Sequence, residues 1–179
     1  MKIISGKYKG RRLEGFDIKG TRPTMDRVKE SLFATIQNYL SDSVVLDLFS
    51  GSGNLGLEAL SEGATAAYLV DKNKKACAII NKNTNLLNIE EKVYVVNSDY
   101  IHFLKNTEKK FDIIFLDPPY NTNYIDESIK LIDENNLLND DGIIICESDN
   151  LSKINYSNSF IEIKNKKYGD KYIVIIKKI

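Results

Sequence analysis

Hydrophobic and polar positions occur in alternating blocks along the chain. Five short apolar runs are rich in branched residues and are typical of strands buried on both faces: residues 44–49, 66–70, 92–96, 111–116 and 142–146. The stretches between them carry apolar positions at helical spacing and predict helices: residues 54–62, 73–88, 100–106 and 124–136. This alternation of strand and helix predicts an α/β fold with a mostly parallel sheet and right-handed crossovers.

Two further strands are predicted near the end of the chain, at residues 160–164 and 171–177. No helical pattern separates them, and a turn sequence that contains Gly169 connects them. Strands joined by a short turn pair in antiparallel fashion. The sequence therefore predicts a seven-stranded sheet whose last strands are antiparallel.

The first 40 residues have a different pattern. Apolar pairs at 3–4 and 12–13 flank a turn rich in Gly and Lys, which predicts a small β-hairpin. Leu32, Phe33 and Ile36 then follow at helical spacing. We expect this hairpin and helix, at residues 1–40, to pack on a core domain at residues 41–179.

The composition is that of an ordinary globular protein. Hydrophobic residues make up 42% and charged residues 28% of the 179 residues, which suits one domain with a substantial core. No apolar stretch approaches the roughly 18 residues of a membrane span, and no signal-peptide pattern begins the chain, so we expect a cytoplasmic protein without a membrane partner. Cys77 and Cys146 lie in apolar runs, which predicts reduced, buried thiols and no metal site, and the single histidine, His102, is assigned no function.

The net charge of zero conceals a strongly uneven distribution. Residues 1–30 carry nine Lys/Arg against four Asp/Glu, a net charge of +5, and residues 164–179 also carry +5. The segment between them carries −10. Basic ends can supply phosphate contacts even on a neutral protein, so the distribution is compatible with a nucleic-acid partner.

A glycine-rich segment follows the first strand of the predicted core. Gly51, Gly53 and Gly56 have the G-x-G-x-x-G spacing, which lets the backbone turn tightly and approach a ligand at a helix N-terminus. Asp71 lies 20 residues after Gly51, at the end of the next strand, where a carboxylate can accept hydrogen bonds from ribose hydroxyls. These features predict a nucleoside cofactor and leave NAD and S-adenosylmethionine open.

Asp47, in the strand before the glycine loop, favours S-adenosylmethionine. A carboxylate at this place would repel a pyrophosphate, whereas it suits the ammonium group of a methionine moiety. Phe49, at the end of the same strand, is included among the cofactor-binding residues. Asp99 follows the third strand, where it either contacts an adenine amino group or caps the next helix.

The sequence Asp-Pro-Pro-Tyr at residues 117–120 follows the fourth strand and is the most specific signal in the chain. An open α/β sheet binds its ligand at this end of the strands. Asp117 and the carbonyl of Pro118 supply two acceptors that can grip the two N–H groups of an exocyclic amine, and Tyr120 supplies a flat face for a base. We therefore predict Asp117, Pro118 and Tyr120 as catalytic residues for methylation of a base amino group.

With these motifs, the chain resembles the RsmD family of bacterial 16S rRNA guanine-N2 methyltransferases. Three further stretches carry the resemblance, which spans essentially the whole chain: residues 3–13, 22–33 and 167–170. The resemblance implies a Rossmann-like class I methyltransferase fold with S-adenosylmethionine as cofactor. It also implies a monomer that acts on guanine N2, conventionally at nucleotide 966, in 16S rRNA of the 30S subunit or a late assembly particle.

Basic residues near the N-terminus are the candidates for RNA binding, which gives residues 1–40 an RNA-contacting role beside a methyltransferase domain at 41–179. A hairpin that contacts phosphates is expected to use Lys7, Lys9, Arg11 and Arg12. Arg22 is predicted to bind phosphate near the active site. Two interpretations remain open for Arg27, a phosphate contact or pairing with neighbouring acids. Two also remain open for Tyr168, core packing or an RNA contact.

Three alternatives share part of this evidence. A DNA methyltransferase acting on adenine N6 or cytosine N4 uses the same Asp-Pro-Pro-Tyr chemistry, but no segment is long enough for a separate target-recognition domain. An NAD-dependent oxidoreductase would use the glycine loop and Asp71, and would leave residues 117–120 without a role. A non-catalytic RNA-binding assembly factor could keep the fold and the cofactor site without turnover.

Overall fold

The computed structural model describes residues 1–15 and 23–179. Its described part contains seven strands: β1 Val44–Asp47, β2 Ala66–Asp71, β3 Val93–Asn97, β4 Phe111–Leu116, β5 Leu138–Ser148, β6 Phe160–Tyr168 and β7 Lys171–Lys178. The α-helices of the same residues are α1 Pro23–Thr35, α2 Gln37–Leu40, α3 Asn54–Ser61, α4 Lys74–Leu87, α5 Tyr100–Asn106 and α6 Tyr124–Glu134.

All seven strands form one sheet in the order β3-β2-β1-β4-β5-β7-β6. The strands from β3 to β5 are parallel, and β7 is antiparallel to both of its neighbours. The predicted α/β fold with antiparallel last strands is therefore confirmed. The order reverses between β1 and β4, and a crevice for a ligand forms at such a switch point, at the carboxyl edge of the sheet.

Two strands are longer than their sequence pattern predicts. β5 begins at Leu138, which pairs with Phe111 before a register shift, so polar residues 139–141 belong to the strand. β6 continues to Tyr168 through residues that are almost all exposed. It is an edge strand with one paired side, so its polar half has no hydrophobic periodicity that a sequence pattern could show.

The sheet separates two apolar layers. One layer packs α1 to α4 against the sheet, and the other packs α5 and α6 against its opposite face. Residues from the N-terminal segment, Ile3, Leu13, Leu32 and Phe33, belong to the first layer together with Phe115 of β4. The described residues before β1, 1–15 and 23–40, therefore share one continuous core with the sheet.

A buried ion pair joins the N-terminal segment to α3. Lys29 Nζ lies 2.8 Å from Glu58 Oε2, and the two side chains are only 3% and 0% exposed. Both Glu58 carboxylate oxygens also accept hydrogen bonds from the backbone N–H of Ile4, and one accepts from that of Ser5. Lys29 donates to the carbonyl of Lys2 as well, at 2.8 Å. The pair thus fixes α1 and the start of the chain on the same helix.

The predicted N-terminal hairpin is a turn that lies along α3, with one antiparallel bridge between Lys2 and Arg12. Gly6 has a positive φ of 79°, and a Cβ at this position would lie 1.9 Å from the carbonyl oxygen of Ser61. The backbone N–H of Lys7 donates to the same carbonyl at 2.8 Å. Only glycine allows this approach, which seats the tip of the turn on the C-terminal end of α3.

Two smaller expectations bear on the chemistry of the chain. Cys77 and Cys146 are both free and buried, as predicted. Within the described ranges, no helix is long and apolar enough to cross a membrane.

Replacement of Lys29 by Met should lower the free energy of unfolding by about 3–5 kcal/mol, because it leaves the Glu58 carboxylate buried without its cation. Urea unfolding measures this loss. The control is Lys130→Met, which removes the exposed pair of Lys130 and Glu134, 3.9 Å apart, and should have little effect. Equal losses in the two variants would contradict a structural role for the buried pair.

Candidate active site

A cavity of about 410 Å³ opens at the carboxyl edge of the sheet, beside the switch point between β1 and β4. Its walls come from the ends of four parallel strands and the segments that follow them. The lining residues are Leu48, Phe49, Gly51, Asp71, Lys72, Ser98, Asp99, Tyr100, Asp117, Pro118, Pro119, Tyr120 and Tyr124. The cavity therefore brings the predicted cofactor loop and the Asp-Pro-Pro-Tyr segment to one place.

The glycine loop forms one wall of the cavity. Gly51 has a positive φ of 56°, and its N–H donates to Asp71 Oδ2 at 2.9 Å. The other oxygen, Oδ1, accepts from the N–H of Asn73 at 2.8 Å. These bonds hold the Asp71 carboxylate at the cavity wall, and each oxygen keeps a lone pair for a ligand hydroxyl.

Asp99 caps a helix and also lies at the cavity, so its predicted contact with a cofactor stays a prediction. Its Oδ1 accepts a hydrogen bond from the N–H of His102 at 2.9 Å, so it caps α5. The residue also lines the cavity. A cap uses one carboxylate oxygen, which leaves the second oxygen free for a donor group of a ligand.

Asp47 and Gly53 do not line the cavity, in contrast to the other predicted cofactor residues. Asp47 is buried behind the glycine loop, where its Oδ2 accepts from the N–H of Gly56 at 3.1 Å. Burial raises the pKa of Asp47 to about 7, although the bond from Gly56 acts against this. Asp47 therefore supports the glycine loop and the start of α3 through Oδ2, and its predicted contact with a cofactor ammonium group stays a prediction.

Three aromatic rings cluster at the cavity. Phe49 lies 5.3 Å from Tyr100 and 6.0 Å from Tyr124 between ring centres, and the two tyrosines are 4.7 Å apart. The Tyr100 hydroxyl bonds to Glu127 on α6, and burial raises the pKa of Tyr100 above its ordinary value. Phe49 was predicted from the sequence, whereas the two tyrosines were not. Their position as the first residues of α5 and α6 was the available signal.

The segment after β4 forms the opposite wall. Asp117 is half-buried and Pro118 is buried, whereas Pro119 and Tyr120 are exposed. Tyr120 is 46% exposed, so its ring is accessible from the cavity mouth. The three residues predicted to be catalytic thus line one wall together, with the ring at the solvent side.

An ion pair that the sequence did not predict lies against this wall. Lys171 at the start of β7 and Glu147 near the end of β5 are 2.6 Å apart, and Lys171 Nζ is 5.5 Å from the centre of the Tyr120 ring. Burial and the charge of Glu147 raise the pKa of Asp117 well above its usual range, and Lys171 acts in the opposite direction. Because β7 runs antiparallel, its first residue lies at the carboxyl edge, which sequence spacing alone could not reveal.

The basic residues of the N-terminal turn lie away from the cavity. Lys7 is next to the C-terminal end of α3, and Arg11 donates to the carbonyl of Leu86 near the end of α4. Helices that connect parallel strands run from the carboxyl edge to the amino edge. Lys7, Lys9 and Arg11 are therefore grouped with the helix ends near the amino edge. Arg12 is exposed and bridges Lys2, whose carbonyl accepts from the same Lys29 ammonium as Asn54 at the start of α3.

The remaining predicted residues fall in three different situations. Arg27 is exposed on α1 and makes no ion pair with an acid in the described part of the chain. Arg22 lies outside the described residues. Tyr168 packs on the first core layer and its hydroxyl bonds to that of Ser31 on α1 at 2.7 Å, which ties the β6–β7 turn to that helix.

Comparisons with known proteins agree with this geometry. The family model described as Conserved hypothetical protein 95 matches residues 1–177. Two relatives named ribosomal RNA small subunit methyltransferase D are similar in sequence. The relative from Buchnera aphidicola subsp. Baizongia pistaciae is 40% identical, and the match covers 93% of this chain and 86% of the relative. The relative from Escherichia coli K12 is 38% identical, and the match covers 83% of this chain and 75% of the relative. The solved structure of a proposed methyltransferase from Escherichia coli superposes with a TM-score of 0.90 at 32% identity, over 99% of this chain and 97% of its own.

Replacement of Asp47 by Asn should change how stability depends on pH. The folded protein holds the Asp47 proton up to a pKa of about 7, whereas the unfolded chain releases it near its ordinary value of 3.8. The free energy of unfolding of the wild type, relative to Asp47→Asn, should therefore fall as the pH rises from about 4 to about 7 and level off above that.

Thermal and urea unfolding between pH 4 and pH 8 measure this difference, and Asp170→Asn in the exposed β6–β7 turn controls for loss of one negative charge. Asparagine keeps an acceptor for the N–H of Gly56, so the fold should be retained. Parallel pH profiles for the wild type and Asp47→Asn would show that Asp47 does not titrate on unfolding.

Proposed function

The chain belongs to the RsmD family of methyltransferases, and on that premise we propose that it methylates the exocyclic N2 of a guanine in 16S ribosomal RNA. S-adenosylmethionine is the methyl donor. One observation carries the proposal: Asp117, Pro118 and Tyr120 line the same cavity as the glycine loop and Asp71. A nucleoside cofactor and a base amino group can therefore meet there.

The residues of the cavity fit S-adenosylmethionine. Carboxylates of Asp71 and Asp99 are acceptors for ribose hydroxyls and an adenine amino group, and Phe49 offers a ring face to the adenine. Gly51 allows the backbone to come close to the ligand. When bound, the cofactor supplies a methyl group on a cationic sulfonium, which suits a cavity with several acids.

Asp117 and the Pro118 carbonyl would hold the two N–H groups of the target amine. Such an amine is a weak nucleophile because its lone pair is delocalised into the ring, and two acceptors favour the pyramidal nitrogen that frees the lone pair. The new N–C bond forms as the S–C bond breaks, and Asp117 or water takes the proton that the nitrogen loses. Stacking on Tyr120 contributes about 1–3 kcal/mol to holding the base.

The Glu147–Lys171 pair positions this wall without touching the reacting atoms. The Lys171 ammonium lies over the Tyr120 ring, which favours one orientation of the ring through a cation–π contact. The same ammonium counteracts the rise in the pKa of Asp117. Lys171 thus favours the ionised form of Asp117, which is the form that can accept a proton.

The finer details of the substrate are part of the proposal. The relatives named for the small subunit support 16S rRNA as the substrate. From the resemblance to the family we further infer guanine 966 as the target, the 30S subunit or a late assembly particle as the context, and a monomer as the active form. Residues 1–40 would contact RNA and residues 41–179 would carry the chemistry. With the turn near the amino edge, Lys7, Lys9, Arg11 and Arg12 would contact RNA beyond the target nucleotide, and Arg22 and Arg27 would contact phosphates closer to it.

Transfer of label from S-adenosylmethionine tests the function. The substrates are 30S particles from cells that lack this protein, protein-free 16S rRNA, and genomic DNA. Label in 16S rRNA supports the proposal and shows whether the particle is required. Label in DNA alone would agree with methylation of a base amino group but contradict a ribosomal substrate. In a thermal shift, stabilisation by NAD and not by S-adenosylmethionine would contradict the proposed cofactor.

Replacement of Asp117 by Ala should lower kcat for methyl transfer by at least about 100-fold, because it removes one of the two acceptors for the amine. The same variant should still be stabilised by S-adenosylmethionine in a thermal shift, since Asp71 and the glycine loop remain. Tyr120→Phe keeps the flat ring and should be much more active than Tyr120→Ala. Full activity of the Asp117→Ala variant would contradict a catalytic role for residues 117–120.

Replacement of Lys171 by Met should move the rise of kcat with pH to higher pH. Ionised Asp117 is the stronger acceptor for the target amine, and loss of the nearby cation raises its already raised pKa further. Lys171→Arg should restore most of the profile. The control is Lys177→Met at the other end of β7, where Lys177 lies 3.2 Å from Asp141, and an identical shift in this variant would contradict a specific effect of Lys171.

A further inference from the structure

The turn between β6 and β7, residues 166–172, lies at the carboxyl edge of the sheet. Ser148 at the end of β5 pairs with Tyr172, and Tyr168 pairs with Lys171 across the turn. Because β7 is antiparallel to β5, the start of β7 and the end of β6 are level with the strand ends that line the cavity. We call residues 166–172 the basic turn.

The basic turn combines lysines with tyrosine rings. Lys166 Nζ is 4.8 Å from the centre of the Tyr168 ring, and Lys167 Nζ is 5.4 Å from that of Tyr172. Lys171 of the same turn reaches the ring of Tyr120 in the cavity wall at 5.5 Å. The turn therefore continues the wall that holds the target base.

Two of these lysines have no acidic partner. Lys166 and Lys167 are exposed, and in residues 1–15 and 23–179 neither forms an ion pair. Lys171 is different, because Glu147 neutralises it. Lys166 and Lys167 are consecutive residues of β6, so they present two uncompensated positive charges on opposite faces of this outermost strand, at the same carboxyl edge as the cavity.

A third basic residue faces the same region from α1. The Tyr168 hydroxyl bonds to Ser31, and Arg27 lies one helical turn before Ser31 on that helix. Residues four apart lie on the same face of a helix. In contrast, the turn that carries Lys7 and Lys9 is seated on the far end of α3.

We propose that the basic turn binds the RNA backbone next to the target nucleotide, with Lys166 and Lys167 contacting phosphates. The inference rests on the proposed function and adds a contact surface on the C-terminal side of the site. The cation–π contacts hold the lysine side chains extended over the tyrosine rings. Contacts from such lysines to phosphates position an RNA strand without reading its base sequence. The surface compensates for the acids of the cavity, which alone would repel RNA.

The test compares two double variants that each remove two exposed lysines. Lys166→Gln/Lys167→Gln changes the basic turn, and Lys109→Gln/Lys110→Gln changes the segment before β4, at the amino edge. Binding of a fluorescein-labelled RNA hairpin is followed by anisotropy at several KCl concentrations. Methyl transfer to 16S rRNA and thermal stabilisation by S-adenosylmethionine are measured on the same proteins.

The basic-turn variant should bind RNA more weakly. The slope of log K against log[KCl] is negative and should become shallower by about 1.4, since each lost phosphate contact contributes about 0.7 to its magnitude. Its KM for RNA should rise while kcat and cofactor stabilisation stay unchanged, and Lys109→Gln/Lys110→Gln should resemble the wild type. Lys166→Arg/Lys167→Arg should retain binding.

Equal weakening in both double variants would show a diffuse charge effect and overturn the inference. Wild-type affinity in the basic-turn variant, with methylation of rRNA intact, would also overturn it and leave the proposed function standing. Poly-glutamate serves as a model of an acidic protein. If its binding weakens as much as RNA binding does in Lys166→Gln/Lys167→Gln, the basic turn would be a site for an acidic protein partner instead. If the wild type binds S-adenosylmethionine but neither binds nor methylates RNA, the proposed function itself is wrong and this inference falls with it.

Discussion

The parallel pairing of β1 with β4 is the constraint on which the site depends. Asp47 at the end of β1 is level with Phe115 near the end of β4, so the glycine loop and residues 117–120 leave the sheet side by side. Strand order reverses at this pair, and the helices that follow the two strands pack on opposite faces. A crevice must therefore open between the two segments. The glycine loop and residues 117–120 meet there, although Gly53 and Asp117 are 64 positions apart along the chain.

Acidic side chains dominate the electrostatics of this crevice. Asp71, Asp99 and Asp117 line it, and Asp71 and Asp99 contribute most to its negative charge, because burial raises the pKa of Asp117 and Lys171 pairs with the neighbouring Glu147. Such a field favours a cationic ligand and opposes a pyrophosphate, which agrees with S-adenosylmethionine rather than NAD. The same field opposes RNA. We therefore expect the protein to hold RNA by cations at the rim of the cavity, and the structure offers them on the β6–β7 turn and on α1.

The sequence predicted the architecture well because the inner strands are buried on both faces and their apolar runs are continuous. Its failures have physical causes. The polar half of β6 and the start of β5 carry no apolar pattern, since only pairing with neighbours makes these residues strand. For the same reason, no local signal could show that Lys171 reaches Glu147.

The candidate site was predictable where local motifs form it and less so elsewhere. Residues 117–120, Gly51 and Asp71 meet as their spacing suggested. Asp47 was assigned to the cofactor from its charge, and the sequence did not show that Asp47 is buried and accepts a hydrogen bond from the N–H of Gly56. The position of the N-terminal turn depends on the close approach of Gly6 to Ser61, which is a long-range contact. The sequence could therefore suggest that the lysines of this turn bind phosphates, but it could not show where these lysines lie.

The most direct test of the account identifies the methylated nucleoside. The 16S rRNA of 30S particles from cells that lack the protein is incubated with the protein and S-adenosylmethionine, digested, and separated by liquid chromatography and mass spectrometry. The account predicts N2-methylguanosine, formed by the wild type and absent with Asp117→Ala. Methylation of adenosine or cytidine instead, or N2-methylguanosine formed equally by Asp117→Ala, would contradict it.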